Sequence, residues 1–503
     1  MGYKNFFKIK KIKRTFLFKP EYIILFITTF VSLLYFAWGI NSWRFSFVGD
    51  EWAYYTFAKE IAEKNFLVNP FDYRGVYLQN SVLVSLHQAL FLKILGASNF
   101  SWRISNTILI IPVTIFFFLW IKRSFNIHIA FFSTLILQSS FYLANYSKIG
   151  YSYPLCFTLF IICLYVAKSC SDNPIVKNFV LLGLILGVSF YTYIGPLFPL
   201  LIWPYLLPLL TKKHFKKKLV LKIFSLGLSY AIMLSPILID ITQLEGPAGK
   251  TVFFKEYSNN FQIIINIFHN FLLFYKNYDI GYNHFVSGPY LDIASRILAF
   301  IGIFILIFNV RKKERKGLPL LLAYISTCVV IGVTSSYSYA PTTRGLFFLP
   351  FGFAFAGLAI YELTKNFSSK KFIAAPIILV IFLLNVYQSQ IGVFKETGYT
   401  GTALIIKSLQ EAKESNSEGK IILLLSNSSG YNYQNIYTMQ QAYGLQNIKF
   451  EVLRISQIKC NALKKADILL FDNDIEAKNA ISYLVCPLNY NLSIKTLNPS
   501  IYL

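Results

Sequence analysis

The chain has 503 residues, of which 55% are hydrophobic and only 14% charged, with 49 Phe, 34 Tyr and a formal net charge of +25. That balance excludes a single large soluble core and reads as an integral membrane protein. The positive charge does not imply a nucleic-acid partner, because most Lys and Arg stand in short clusters between apolar runs, as membrane orientation requires.

Residues 1–20 are basic, and the run from Tyr22 to Ile40 is longer than a signal-peptide core and is followed by no small-residue cleavage pattern, so it reads as a retained first span. A spanning helix needs roughly 20 mostly apolar residues. Further runs of that kind lie near 103–121, 127–146, 151–168, 178–195, 197–211, 219–240, 291–309, 318–336, 344–363 and 372–391, which makes eleven spans. A shorter run, Ser81 to Leu95, carries His87, Gln88 and Lys93, and its placement decides the sidedness of everything after it. With this run on the surface, 25 of the 48 Lys and Arg fall in the N-terminal segment and inner loops, 12 in outer loops and 11 in the tail. Were it to cross, "KKHFKKK" and "RKKERK" would both face outward, against the positive-inside tendency. The expectation is therefore a cytoplasmic N-terminus, an extracytoplasmic C-terminus and a multi-pass protein of the cytoplasmic (inner) membrane of a prokaryote.

In the first outer loop, "AYYTFAKEIAEKNF" sets Ala53, Phe57, Ile61 and Ala62 near helical spacing beside Lys59, Glu60, Glu63 and Lys64, which predicts a helix lying in the membrane interface. Ser81–Leu95 is expected to be a second. Beyond about residue 393 the chain turns polar. There "KIILLLS", "KFEVLRI" and "ADILLFD" read as short buried strands, with helical stretches near 401–416 and 431–444. The predicted fold is thus mainly α, a polytopic membrane domain over residues 1–392 followed by a small extracytoplasmic α/β domain over 393–503.

Asp50, Glu51, Glu60, Glu63, Asp72, Asp240, Glu245, Glu256, Asp279 and Asp292 all fall on or near the expected outer face, so any chemistry belongs there. Two readings of "GDEW" stand side by side. Asp50 caps the interfacial helix with Glu51 in its first turn, or one carboxylate takes a proton from an acceptor hydroxyl while the other orients it. Lys148 and Arg344, at outer ends of spans, either meet a lipid phosphate at the membrane boundary or snorkel to the interface. Arg74 and Arg103 are candidates of the same kind, and His269 and His284 in the second outer loop are candidates for substrate contact.

Asp472-Asn473-Asp474 has the form of a metal-holding acidic triplet but reads better as a solvated turn. The chain has no G-x-G-x-x-G, P-loop, H-E-x-x-H, paired C-x-x-C or G-x-S-x-G, so nucleotide-driven transport and zinc-protease chemistry lack their usual support. No metal site is assigned, and a need for a divalent cation stays open. Cys460 and Cys486 form a bridge or remain buried thiols. Cys156, Cys163 and Cys170 recur along one span, as helix or lipid packing would have them.

An acid pair in the first outer loop, a helix after it, many spans and an outer C-terminal domain together resemble the GT-C fold membrane glycosyltransferases, specifically the bacterial relatives of protein O-mannosyltransferases and of the lipid A aminoarabinose transferase. "GLILGVSFYTYIGPLFPL", "NHFVSGPYLDIASRILAFIGI" and "YAPTTRGLFFLPFGFAFAGLAIYEL" are similar to that family's glycine-and-tyrosine span, loop-to-span entry and late Arg-bearing span. The resemblance spans roughly residues 15–390. It departs where "YLQNSVLVSL" replaces a Pro-Pro-Leu segment and where Lys148 stands in place of Arg.

The resemblance implies inverting transfer of a sugar from a polyprenyl-phosphate donor to a lipid, glycan or protein acceptor at the outer face. Asp50 would be the base and Glu51 its positioning partner. Lys148 and Arg344 would meet the departing phosphate, with Tyr151, Tyr191 and Tyr193 lining the cavity. A transporter or flippase of a lipid-linked glycan is the alternative, though the spans hold few internal charges. A non-catalytic interaction subunit is a third reading.

Overall fold

The computed structural model describes residues 20–41, 51–68, 82–192, 194–210, 216–239, 260–271, 277–278, 288–311, 317–334, 342–366, 370–388, 406, 409–410, 421–425, 433–454, 468–471 and 494–496. Helix α1 (Pro20–Ala37) is followed by α2 (Glu51–Glu63) and α3 (Val82–Leu95). Next come α4 (Asn99–Thr107), α5 (Ile110–Ser124), α6 (Ile127–Ser139), α7 (Phe141–Tyr146), α8 (Tyr153–Asp172) and α9 (Val176–Ser189).

The run at 197–211, expected as one span, is instead broken. Two short helices, α10 (Phe198–Ile202) and α11 (Leu207–Leu210), are separated by a single tight turn at Trp203–Tyr205. Pro199, Pro204 and Pro208 each remove a backbone N–H and clash with the preceding turn, so no continuous helix can form there.

The chain continues through α12 (Lys216–Ile239), α13 (Asn260–Phe271), α14 (Ile293–Arg311), α15 (Leu318–Thr334), α16 (Thr342–Gly345), α17 (Leu349–Thr364) and α18 (Lys370–Gln388). Among the described residues, five helical stretches are long and apolar enough to cross a membrane, and six shorter apolar helices accompany them. The polytopic, membrane-embedded character follows from their surfaces. The stretch Leu219–Pro236 is only 17% buried within the protein, whereas Leu346–Thr364 is 83% buried. Large side chains such as Phe224, Phe268 and Phe308 face outward, where only lipid accommodates so much apolar surface.

The central helix α17 is surrounded by rings. Phe347 and Phe351, at its start, meet Phe160, Phe198, Trp120 and Tyr324. At one end of the bundle, Asp292 joins three elements. One of its oxygens accepts the Ser295 N–H at 2.9 Å, capping α14, and the other accepts from Asn385 of α18 at 2.9 Å. Asn385 in turn accepts the Phe141 N–H of α7 at 2.9 Å.

The helix expected at the membrane interface, α2, is covered by protein. Ala53, Tyr54, Tyr55, Phe57, Ala58, Ile61 and Ala62 are all buried, largely against α3. In the C-terminal segment, β3 (Ile421–Leu425), β4 (Phe450–Arg454), β5 (Ile468–Phe471) and β6 (Ile494–Thr496) form a parallel sheet in the order β4-β3-β5-β6. Ile421 is paired with Phe450 on one side and Ile468 on the other. Parallel neighbours need a crossover, and α19 (Tyr433–Ala442) lies between β3 and β4 in the chain. A short antiparallel pair, β1 (Asn277–Tyr278) with β2 (Gly288–Pro289), precedes α14.

Helices α9 and α12 pack through small residues. A Cβ at Gly183 would lie 2.0 Å from Ser229 Oγ, and one at Gly187 would lie 2.4 Å from Met233 Cβ. Close backbone approach of this kind drives helix association in lipid. Gly187→Leu is therefore expected to cost about 1–3 kcal/mol through overpacking, read as a lower melting temperature of the detergent-purified protein, while Gly227→Ala, which meets nothing within 4 Å, leaves it unchanged.

Candidate active site

The candidate site is organised around residues 147–151, "SKIGY", an irregular turn between α7 and α8 that is buried along its whole length. Its five consecutive carbonyls are satisfied by side chains of the neighbouring helices. Thr107 donates to Ser147 O at 3.4 Å, Arg103 Nη1 to Lys148 O, Asn106 Nδ2 to Ile149 O at 2.8 Å and to Tyr151 O at 3.2 Å, and Gln88 Nε2 to Gly150 O at 2.9 Å. Buried non-helical backbone persists only when protein groups replace the missing ladder.

Most of those donors come from α4, "NFSWRISNT". Asn99, Ser101, Arg103, Ser105, Asn106 and Thr107 are all fully buried, a polar helix sunk into an apolar protein. Its start is held by a capping box, with Ser98 and Ser101 each accepting from the other's backbone N–H. Asn99 orients the guanidinium, taking the Arg103 Nε–H at 2.7 Å.

Glu51 opens α2 and is completely buried. Its Oε1 accepts the backbone N–H of Gly150 and lies 3.4 Å from Arg103 Nη1. Gly150 is required at that point, since a Cβ there would stand 2.2 Å from the Trp102 indole. Arg103 therefore links Glu51 to the carbonyl of Lys148, and three segments distant in sequence meet at one guanidinium. Removing one partner of such a buried pair leaves an uncompensated charge, at a cost of about 3–5 kcal/mol.

Lys148 is itself buried, and burial pulls its ammonium down to about 7 from the ordinary lysine value. A row of rings runs on from Glu51's helix. Tyr54 meets Tyr151 at 5.4 Å between ring centroids, Tyr151 stacks on Tyr153 at 5.7 Å, Tyr153 meets Tyr146, Tyr146 stacks on Tyr142, and Tyr142 meets Tyr290 at 4.7 Å. Tyr290 in turn packs on Gly345, where a Cβ would meet its hydroxyl at 2.1 Å. A small cavity lined by Asn106, Tyr146, Ser147, Leu109, Phe157 and Leu346 adjoins this row.

Of the residues singled out from the sequence, Glu51, Arg103, Lys148 and Tyr151 come together here. Arg344 stands at the far end of the ring row, beside Gly345, and donates to the Thr334 carbonyl at the end of α15, as a cation at a helix C-terminus does. Tyr191 departs from expectation. Its hydroxyl donates to Met233 O of α12 at 2.8 Å, so it ties the end of α9 to α12 rather than joining the tyrosine row. Asp50, Arg74, Tyr193, His284, Cys460, Cys486 and Asp472–Asp474 lie outside the described residues. Among the described residues no group of three His, Cys, Asp or Glu is gathered to hold a metal ion.

The sequence reading set Arg103 among several boundary cations and passed over Gln88, Asn99 and Asn106. Their signal was the density of amide and hydroxyl residues at the head of an apolar span, which marks function or backbone repair inside a membrane.

Residues 79–239, about a third of the chain, match the family described as dolichyl-phosphate-mannose-protein mannosyltransferase. No curated protein matches the chain by sequence. Among solved structures, the chain is similar to ArnT from Cupriavidus metallidurans bound to undecaprenyl phosphate, at 11% identity and a TM-score of 0.53 over 86% of this chain and 85% of that one. The apo form of the same protein gives 11% identity and a TM-score of 0.55 over 86% and 84%. The oligosaccharyltransferase AglB from Archaeoglobus fulgidus, in complex with an inhibitory peptide and a dolichol-phosphate, gives 13% identity and a TM-score of 0.49 over 84% and 64%. The chain shares its overall fold with ArnT, the GT-C fold of the membrane glycosyltransferases.

Proposed function

We propose that this protein transfers a sugar from a polyprenyl-phosphate donor to a lipid, glycan or protein acceptor, with inversion, at the outer face of the cytoplasmic membrane. The observation that carries the reading is the buried junction of Glu51, Arg103 and the Lys148 turn, set within a fold shared with a protein that binds undecaprenyl phosphate. In this reading the N-terminus is cytoplasmic, and the segment from 393 onward is an extracytoplasmic α/β domain.

The roles divide by what each carboxylate already does. Glu51 receives both the Gly150 N–H and the Arg103 guanidinium on one oxygen, which fix its orientation at the head of α2 and engage it in holding the turn. The base is then Asp50, immediately before α2, with Glu51 fixing the start of the helix that carries it. As the acceptor oxygen attacks the anomeric carbon, the bond to the phosphate oxygen breaks, the transition state gains oxocarbenium character, and the acceptor proton passes to Asp50. Lys148 balances the charge left on the departing phosphate, with Arg344 at the other end of the ring row. Tyr151 borders the sugar site, with Tyr54 and Tyr153 packed against it.

Chromosomal Asp50→Asn is expected to lower transfer by about 10²–10⁴-fold, read by mass spectrometry as accumulation of the polyprenyl-phosphate sugar and loss of its glycan product, with normal protein level in the membrane. Wild-type product from that strain would end the proposal. The donor that accumulates identifies the sugar and serves as the substrate in vitro.

Lys148 gives a second test. With a free-state value near 7, the lysine is largely neutral above that pH and must take up a proton to meet a phosphate anion. Undecaprenyl phosphate affinity is then expected to weaken by up to tenfold per pH unit as pH rises from 7 to 9, measured by titration of the purified protein. Lys148→Met should bind weakly with a flat profile over the same range. A wild-type profile that is flat across it removes Lys148 from the phosphate site.

A further inference from the structure

The C-terminal segment reaches the buried junction. Helix α19 lies against α2, where Lys59 Nζ donates to Gln441 Oε1 at 2.6 Å. Ile436, Met439 and Ala442 share one apolar core with Tyr54, Tyr55 and Phe57. At the end of α19 the chain turns through Gly444, whose φ of 67° only glycine adopts readily. The turn is closed by the Leu445 N–H on Gln440 O at 2.9 Å. It sets Tyr443 over the junction, close enough to Arg103 and Glu51 for both charges to act on its phenol. Burial first, and Glu51 with it, push the phenol up to about 12, while Arg103 opposes them through its charge and through a side-chain hydrogen-bonding contact with the phenol.

Neither Arg103 Nη2 nor Tyr443 Oη makes a hydrogen bond of good geometry among the described residues. Buried polar groups are nearly always paired. A guanidinium donor and a phenol oxygen within reach of each other are complementary. Every other nitrogen of Arg103 is engaged, Nε with Asn99 and Nη1 with Glu51 and Lys148 O.

Resting on the glycosyl-transfer reading above, we propose that the C-terminal segment supplies Tyr443 as a positioning residue of the active site, its phenol oxygen accepting the remaining Arg103 N–H and so locking the guanidinium that holds Glu51 and the Lys148 turn. The segment then completes the site from above. Tyr443 touches neither donor nor acceptor, and acts only through Arg103.

The test uses the full-length protein in liposomes with the polyprenyl-phosphate sugar extracted from the Asp50→Asn strain. Tyr443→Phe keeps the ring and removes the hydroxyl. It is expected to lower kcat about tenfold, as loss of a hydrogen bond to a charged group does, with KM for the donor within about twofold and an unchanged melting temperature. In an Arg103→Lys background, which lacks the Nη2 donor, Tyr443→Phe should cause no further loss. Wild-type kcat in Tyr443→Phe, or equal losses in both backgrounds, overturns the positioning role. Should that happen while Asp50→Asn remains inactive, the glycosyl-transfer reading still stands; an active Asp50→Asn protein removes both.

Discussion

The structure depends on keeping one buried, non-helical turn hydrogen-bonded. Residues 147–151 interrupt the helical path between α7 and α8, and none of their carbonyls faces water. Each is answered by a side chain, from Gln88 of α3 and from Arg103, Asn106 and Thr107 of α4. An unanswered carbonyl would cost several kcal/mol in a hydrocarbon setting. The polar character of α4 is therefore structural before it is functional.

That arrangement also creates the site. Arg103 is needed to answer Lys148 O, and a buried guanidinium needs an anion, which Glu51 supplies. Glu51 in turn accepts Gly150 N–H, so the turn, α4 and the start of α2 are held as a unit. Rigid placement of a neighbouring carboxylate is what general-base chemistry asks of a scaffold. The tyrosine row extends this order from Tyr54 to Tyr290, and the Asp292–Asn385–Phe141 chain ties the start of α7 to α14 and α18. The fold thus places its polar groups along one internal path and leaves the outer helices to lipid.

The C-terminal segment belongs to this design. Its helix α19 shares a core with α2, and Tyr443 lies close enough to Arg103 for the charge to act on its phenol. A segment that covers a charged junction excludes water from it and strengthens every interaction inside, which is a physical reason for a polar domain to rest on the head of a membrane bundle.

Much of this was written in the sequence. Long apolar runs had to become helices, because lipid leaves the backbone no other way to pair its N–H and C=O groups. The strands of the C-terminal segment lie on "KIILLLS", "KFEVLRI" and "ADILLFD", since short runs rich in Ile, Leu, Val and Phe suit strands of a parallel sheet. Glu51 stood out as an acid at the head of a helix. Three proline residues within 197–211 were equally visible, yet hydropathy outweighed them and the broken path was missed. What tertiary structure alone decided is partnership. Burial of Arg103 against Glu51 joins positions 52 residues apart, Tyr191 turns to Met233 rather than to the ring row, and Tyr443 arrives from the far end of the chain. Hydropathy and periodicity report how each residue relates to its neighbours in sequence and to the solvent, whereas a buried charge takes its meaning from the partner that folding brings to it.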